Sequence, residues 1–62
     1  RRTLAAWFRH NVQPLATSKA LFIHRNTLEY RLNRISALTG LDLGNFDDRL
    51  LLYVALQLDE ER

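Results

Sequence analysis

Three residues, Phe22-Ile23-His24, separate two stretches of helical pattern, and that short spacing constrains the fold more than any other feature of the chain. The connection holds neither Gly nor Pro, so the turn must be tight and set by packing. Before it, Pro14 suits the first turn of a short helix expected over about Pro14 to Leu21, where its missing N–H costs nothing. After it, Leu28, Leu32 and Ile35 recur at i, i+4, i+7 and form the buried stripe of a helix over about Arg25 to Leu38. Ser18 is small and lies mid-way along the first helix of the pair, where the second must cross closely. Ile23 supplies the apolar residue after the turn. The turn position that is often Gly in such hairpins is Phe22 here.

The flanking segments are also helical. Leu4, Trp7 and Phe8 share one face of a first helix over about Arg2 to His10, followed by the connection Asn11-Val12-Gln13. Thr39-Gly40 ends the third helix, and Gly40 can take a left-handed cap conformation. After the connector Leu41-Asp42-Leu43-Gly44, Asn45 can cap a fourth helix over about Phe46 to Glu61. Asp47 and Asp48 fall in its first turn, where the helix dipole favours negative charge. The fold class is therefore all-α, a compact four-helix helix-turn-helix domain with no strand pattern. Trp7, Phe8, Ile23, Leu28, Leu32, Ile35 and Leu50 are expected to be buried. The fourth helix is apolar nearly all round from Leu50 to Leu56. The stripe Phe46, Leu50, Val54 and Leu58 is expected to close the core, leaving Leu52, Tyr53 and Leu56 outside as a contact for a second copy or for an upstream domain.

Length and composition bound the rest. Sixty-two residues make one domain, which buries only about 60% of its unfolded surface. There is no cysteine, hence no disulfide and no thiolate metal site, which fits a reducing cytosol. The hydrophobic share of 47% is ample for a core and argues against disorder. The longest apolar run is far short of the roughly 20 residues that a membrane span needs. The chain starts inside a helical pattern without an initiator Met, and reads as part of a longer protein. Charge is lopsided. Residues 1–34 set Arg1, Arg2, Arg9, Lys19, Arg25, Arg31 and Arg34 against Glu29 alone, a net +6. Residues 35–62 set Arg49 and Arg62 against Asp42, Asp47, Asp48, Asp59, Glu60 and Glu61, a net −4. One half can meet a polyanion while the other faces away.

The outer face of the third helix carries the chemistry. It offers Arg25, Asn26, Glu29, Tyr30 and Asn33 to base edges, because recognition helices present their N-terminal residues to the major groove. Arg can bond guanine bidentately, and Asn adenine. His24 stands at the mouth of this helix. Lys19, His24, Thr27, Arg31 and Arg34 are the candidate phosphate contacts.

The block Leu21-Phe22-Ile23-His24-Arg25-Asn26-Thr27-Leu28-Glu29-Tyr30-Arg31-Leu32-Asn33-Arg34-Ile35, followed by Leu38-Thr39-Gly40-Leu41-Asp42-Leu43, resembles the C-terminal helix-turn-helix of the PucR/CdaR family of bacterial regulators. The upstream Leu4, Trp7, Phe8 and Asn11 and the downstream Phe46-Asp47-Asp48-Arg49-Leu50 fit the same pattern, so the resemblance covers nearly the whole chain. The hairpin is similar to the Fis type. Ser18 departs from the family, which more often has Ala, but it is equally small. The resemblance implies a cytoplasmic transcription regulator that binds double-stranded DNA. The likeness is greatest to the sugar-diacid-responsive activators of uptake and metabolism genes. It further implies that a small-molecule effector, a sugar diacid, binds upstream of these residues.

Other chemistries lack support. His10 and His24 have no Cys or acid cluster beside them to form a metal site or a catalytic pair, and no cofactor is called for. Asp47 and Asp48 are adjacent on a helix and point apart. Trp7, Phe8 and Phe22 could stack single-stranded bases, but their helical spacing favours the core. No nucleophile–base pair or phosphate loop is present, so the chain is not read as an enzyme. The alternative to a DNA reader is a helical interaction or dimerisation module built on the fourth helix. Arg1-Arg2 is either a phosphate-binding arm or a frayed helix start.

Overall fold

The computed structural model describes residues 2–60. Four helices follow one another: α1 (Arg2–Arg9), α2 (Pro14–Leu21), α3 (Arg25–Thr39) and α4 (Phe46–Glu60). No strand occurs among the described residues. Arg1, and the expected last turn of the fourth helix at Glu61, lie outside them.

Local chemistry explains each boundary. α1 ends in a Schellman motif: Asn11 N–H donates to the Phe8 carbonyl (3.0 Å) and Val12 N–H to the Trp7 carbonyl (2.8 Å). Asn11 and Val12 both take positive φ (57° and 56°), and Val12 packs onto the core that holds Trp7. Pro14 opens α2 at its first turn. Gly40, at φ 73°, closes α3 by donating to the Ser36 carbonyl. Asn45 caps α4 by accepting from the Asp48 N–H (3.0 Å).

The main core joins Leu4, Trp7 and Leu52, with Phe8, Val12, Leu32, Ile35, Leu41 and Leu43 packed around it. Phe8 bridges α1 to α4: its ring lies 5.2 Å from Trp7 and meets Tyr53 edge-on at 5.3 Å. Trp7 and Leu28 are buried as expected. Phe8, Ile23, Leu32 and Ile35 are half-buried, as a domain this small lacks the surface to cover them all.

The rotation of α4 corrects the sequence reading. Leu52 and Leu56 are buried, whereas Phe46, Leu50, Val54 and Leu58 are exposed. Tyr53 stays partly exposed. The reason lies one turn earlier. Asp48 accepts from the Asp42 backbone N–H (2.8 Å), and Asp42 also holds the Gly44 N–H (2.8 Å). Asp48, Leu52 and Leu56 are spaced i, i+4, i+8, so anchoring Asp48 to the connector turns that stripe inward. Leu50 and Val54, each two residues from Leu52, are then about 160° away and face solvent. A second correction concerns Phe22, which is 93% exposed and takes no part in the core with Trp7 and Phe8.

Candidate nucleic-acid interface

The α2–α3 hairpin is set by small hydroxyl residues and an unusual turn. Thr17 is fully buried and donates its hydroxyl to the Gln13 carbonyl (2.7 Å). Ser18 is buried beside it and donates to the Leu15 carbonyl (2.9 Å). Both hydroxyls are satisfied by carbonyls three or four residues earlier in the chain, so Leu28 of α3, only 1% exposed, can be buried in the hairpin without stranding a polar group. The turn is again a Schellman motif. Phe22 N–H donates to the Lys19 carbonyl and Ile23 N–H to the Ser18 carbonyl. Phe22 takes the left-handed conformation (φ 56°, ψ 42°) that Gly usually fills.

α3 starts at His24, whose extended backbone (φ −70°, ψ 148°) makes it the N-cap. Its side-chain Nδ1 accepts from the Asn26 backbone N–H at 3.0 Å. Its carbonyl accepts from Thr27 and Leu28 N–H. The first turn of α3 contains no acidic residue, so the positive end of the helix dipole is left open to an anion.

Arg25, Asn26, Glu29, Tyr30 and Asn33 are all exposed, as are Lys19, His24, Thr27, Arg31 and Arg34. They do not share one face. At 100° per residue, Asn26 and Tyr30 stand about 160° from Leu28, at the crest of the helix. Arg25, Glu29 and Asn33 run down one flank at i, i+4, i+8 and line a groove of about 340 Å³, with Pro14 and the Asp42–Gly44 connector opposite. Thr27, Arg31 and Arg34 descend the other flank. Lys19 joins from the last turn of α2. The structure thus brings the base-reading candidates together on the crest and one flank, and the phosphate candidates of α3 together on the other.

Two elements of this surface escaped sequence reasoning. His24 was legible as a residue at the helix mouth, but not as its cap, because His is outside the Ser, Thr, Asp and Asn set that marks N-caps. The only signal was the need for some cap between Ile23 and Arg25. The groove wall formed by Pro14 and the connector depends on the tertiary fold, and no local pattern announces it. Among the described residues no group of His, Cys, Asp or Glu could hold a metal, and no helix is long and apolar enough to cross a membrane.

Residues 1–58 match the model of the PucR C-terminal helix-turn-helix domain. The chain is 98% identical over its full length to the carbohydrate diacid regulator of Escherichia coli (strain K12), of which it spans 16%. It is 36% identical over 61 residues to the proline-responsive transcriptional activator PutR of Bacillus subtilis (strain 168), covering 98% of this chain and 15% of that one. It is 40% identical over 57 residues to the transcriptional activator PmfR of Paenarthrobacter nicotinovorans, covering 92% of this chain and 12% of that one. The chain therefore spans about a sixth or less of the length of these relatives. No solved structure matches it significantly.

Proposed function

Since the chain belongs to the PucR C-terminal helix-turn-helix family, a family of DNA-binding regulator domains and not of enzymes, we propose that it is the operator-reading module of a cytoplasmic activator of sugar-diacid uptake and metabolism genes. The sugar diacid acts as effector on parts of the polypeptide outside this chain. α3 enters the major groove N-terminus first. Arg25, Asn26, Glu29, Tyr30 and Asn33 read base edges. Lys19, His24, Thr27, Arg31 and Arg34 hold phosphates. The observation that carries this reading is the division of α3: an exposed polar crest and flank on one side, and a flank with two arginines on the other.

The test separates the two groups. A duplex selected by the chain from a random library is compared with the same duplex scrambled, at several salt concentrations. Asn26→Ala should cost about 1–3 kcal/mol on the selected duplex and leave scrambled binding unchanged. Arg31→Ala should weaken both and lower the salt slope by roughly one unit. Equal loss on both duplexes for Asn26→Ala, or no effect of either variant, would remove α3 as the reading element.

A second surface supports a role in pairing. Phe46, Leu50, Leu51, Val54 and Leu58 of α4 are exposed together. Regulators of this kind read half-sites about one helical turn apart, which requires two copies. In our reading the outer stripe of α4 contributes to that pairing, either directly between copies or by seating the domain on the upstream part. Sedimentation of the chain with Leu50 and Leu58 changed to Gln, against the parent, tests the direct form.

A further inference from the structure

We infer that His24 is a positioning residue of the DNA interface that uses its two ring nitrogens for two jobs at once. This rests on the reading that α3 enters the groove. Nδ1 accepts from the Asn26 backbone N–H at 3.0 Å. A nitrogen that accepts carries no proton, so the ring is the neutral tautomer with its proton on Nε2. The cap therefore fixes the tautomer as well as the helix end. His24 is exposed at the N-terminus of α3, and Nε2–H is the one donor its side chain has left. It is directed to a phosphate oxygen beside the helix N-terminus, where the helix dipole also favours an anion.

The consequences differ from those of the cationic contacts. Arg25 and Asn26 are the first two residues of α3. The Asn26 N–H has no partner within the helix, and the His24 ring supplies the one it has, alongside the Thr27 and Leu28 N–H bonds to the His24 carbonyl. Loss of the cap frays the turn that carries both leading base readers, so His24 acts on sequence discrimination through them. Its own phosphate contact is neutral. It adds affinity on any duplex but releases no counterion, so it leaves no trace in the salt dependence.

The experiment uses three variants of the chain, the selected duplex and its scrambled counterpart, and a salt series. His24→Ala removes cap and donor. His24→Ser restores the cap through Oγ but stops well short of where Nε2 reaches. His24→Asn is a second capping variant, for use should the Ser form not melt cooperatively. His24→Ala should lower the ratio of selected to scrambled affinity about fivefold. His24→Ser should bring that ratio back to the parent value. It should still bind both duplexes about two- to tenfold more weakly than the parent, with an unchanged salt slope. A ratio no better in His24→Ser than in His24→Ala overturns the positioning role. A slope lowered by about one unit overturns the neutral tautomer, and parental affinity in His24→Ser overturns the phosphate contact. Asn26→Ala, run in parallel, keeps the two readings apart. If it still lowers the ratio while the His24 series fails, α3 reads DNA without help from His24.

Discussion

α3 and α4 are both 15 residues long, and each turns a broad face to solvent, yet the two faces are opposites. α3 buries Leu28 fully and half-buries Leu32, Ile35 and Ser36, while the first two turns of its outer face are polar or cationic apart from the ring of Tyr30. α4 buries Leu52 and Leu56 and exposes Phe46, Leu50, Leu51, Val54 and Leu58. In α3 the polar residues leave the apolar ones a single place to go, so sequence and tertiary structure agree on which side is inward. In α4 every side can be buried. The choice falls to a hydrogen bond, Asp48 to the Asp42 N–H, and to the shape of the pocket that Leu4 and Trp7 offer. A face defined by charge is thus specified locally, whereas a face chosen among equals is specified by the rest of the fold.

The sharpest test of this contrast is truncation of the inward residues. A domain of this size has roughly 3–9 kcal/mol of total stability. Leu28→Ala and Leu52→Ala should each cost about 2–5 kcal/mol, because neither cavity can collapse easily. Leu28 is 1% exposed and Leu52 8%. Leu50→Ala, at a position 49% exposed, should cost less than about 1 kcal/mol. Urea titrations of the three variants check the ranking. A Leu50 cost equal to that of Leu52 would mean that α4 is rotated the other way in solution.

This is also where the legibility of the chain divides. Among the described residues the helix bounds were readable to within a residue because the breakers carry physical instructions: Pro14 at a first turn, Gly40 at a left-handed cap, Asn45 at an N-cap. The surface of α3 was readable because its polar residues lie at fixed angles from Leu28. The inward stripe of α4 was not, because periodicity says nothing when all residues between Leu50 and Leu56 are apolar. Nor was Thr17, whose complete burial follows from a hydroxyl bonded to the Gln13 carbonyl of the preceding turn. Helical spacing groups Phe22 with Trp7 and Phe8, but spacing cannot show that its backbone is left-handed and its ring outside the core.

The next largest effect tests what fixes the rotation of α4. Asn45 caps the helix, and its removal should free the first turn that carries Asp48. Asn45→Ala is expected to cost about 1 kcal/mol, within the range of 0.5–2 kcal/mol typical of N-caps. Asn45→Asp should retain most of that stability, since its carboxylate accepts the same Asp48 N–H. The paired melting curves would separate a cap from a mere helix-propensity effect. If alanine is tolerated without loss, the fit of Leu52 between Leu4 and Trp7 sets the rotation alone.

The smallest effect concerns an exposed apolar group that belongs to neither face. Phe22 holds a left-handed backbone at φ 56° with its ring 93% exposed. Val12 holds the same φ of 56°, but its side chain packs on the core. A left-handed conformation costs a residue with a Cβ roughly 1–2 kcal/mol, and Asn less, because its short amide bonds locally. Phe22→Asn therefore relieves strain and gives up almost no packing. It should stabilise the chain by about 0.5–1 kcal/mol, a rise in Tm of about 2–8 °C for a domain of this size. Glycine should gain less, because the unfolded chain becomes more flexible. Val12→Asn relieves the same strain but removes a packed side chain, so it should be neutral or destabilising. Thermal melts of the two Asn variants make the comparison directly. A gain at Phe22 alone would show that its ring does nothing for the folded chain by itself. No gain at Phe22 would mean that the ring is covered in solution, and the outer surface near α3 would then be less uniformly polar than its residues indicate.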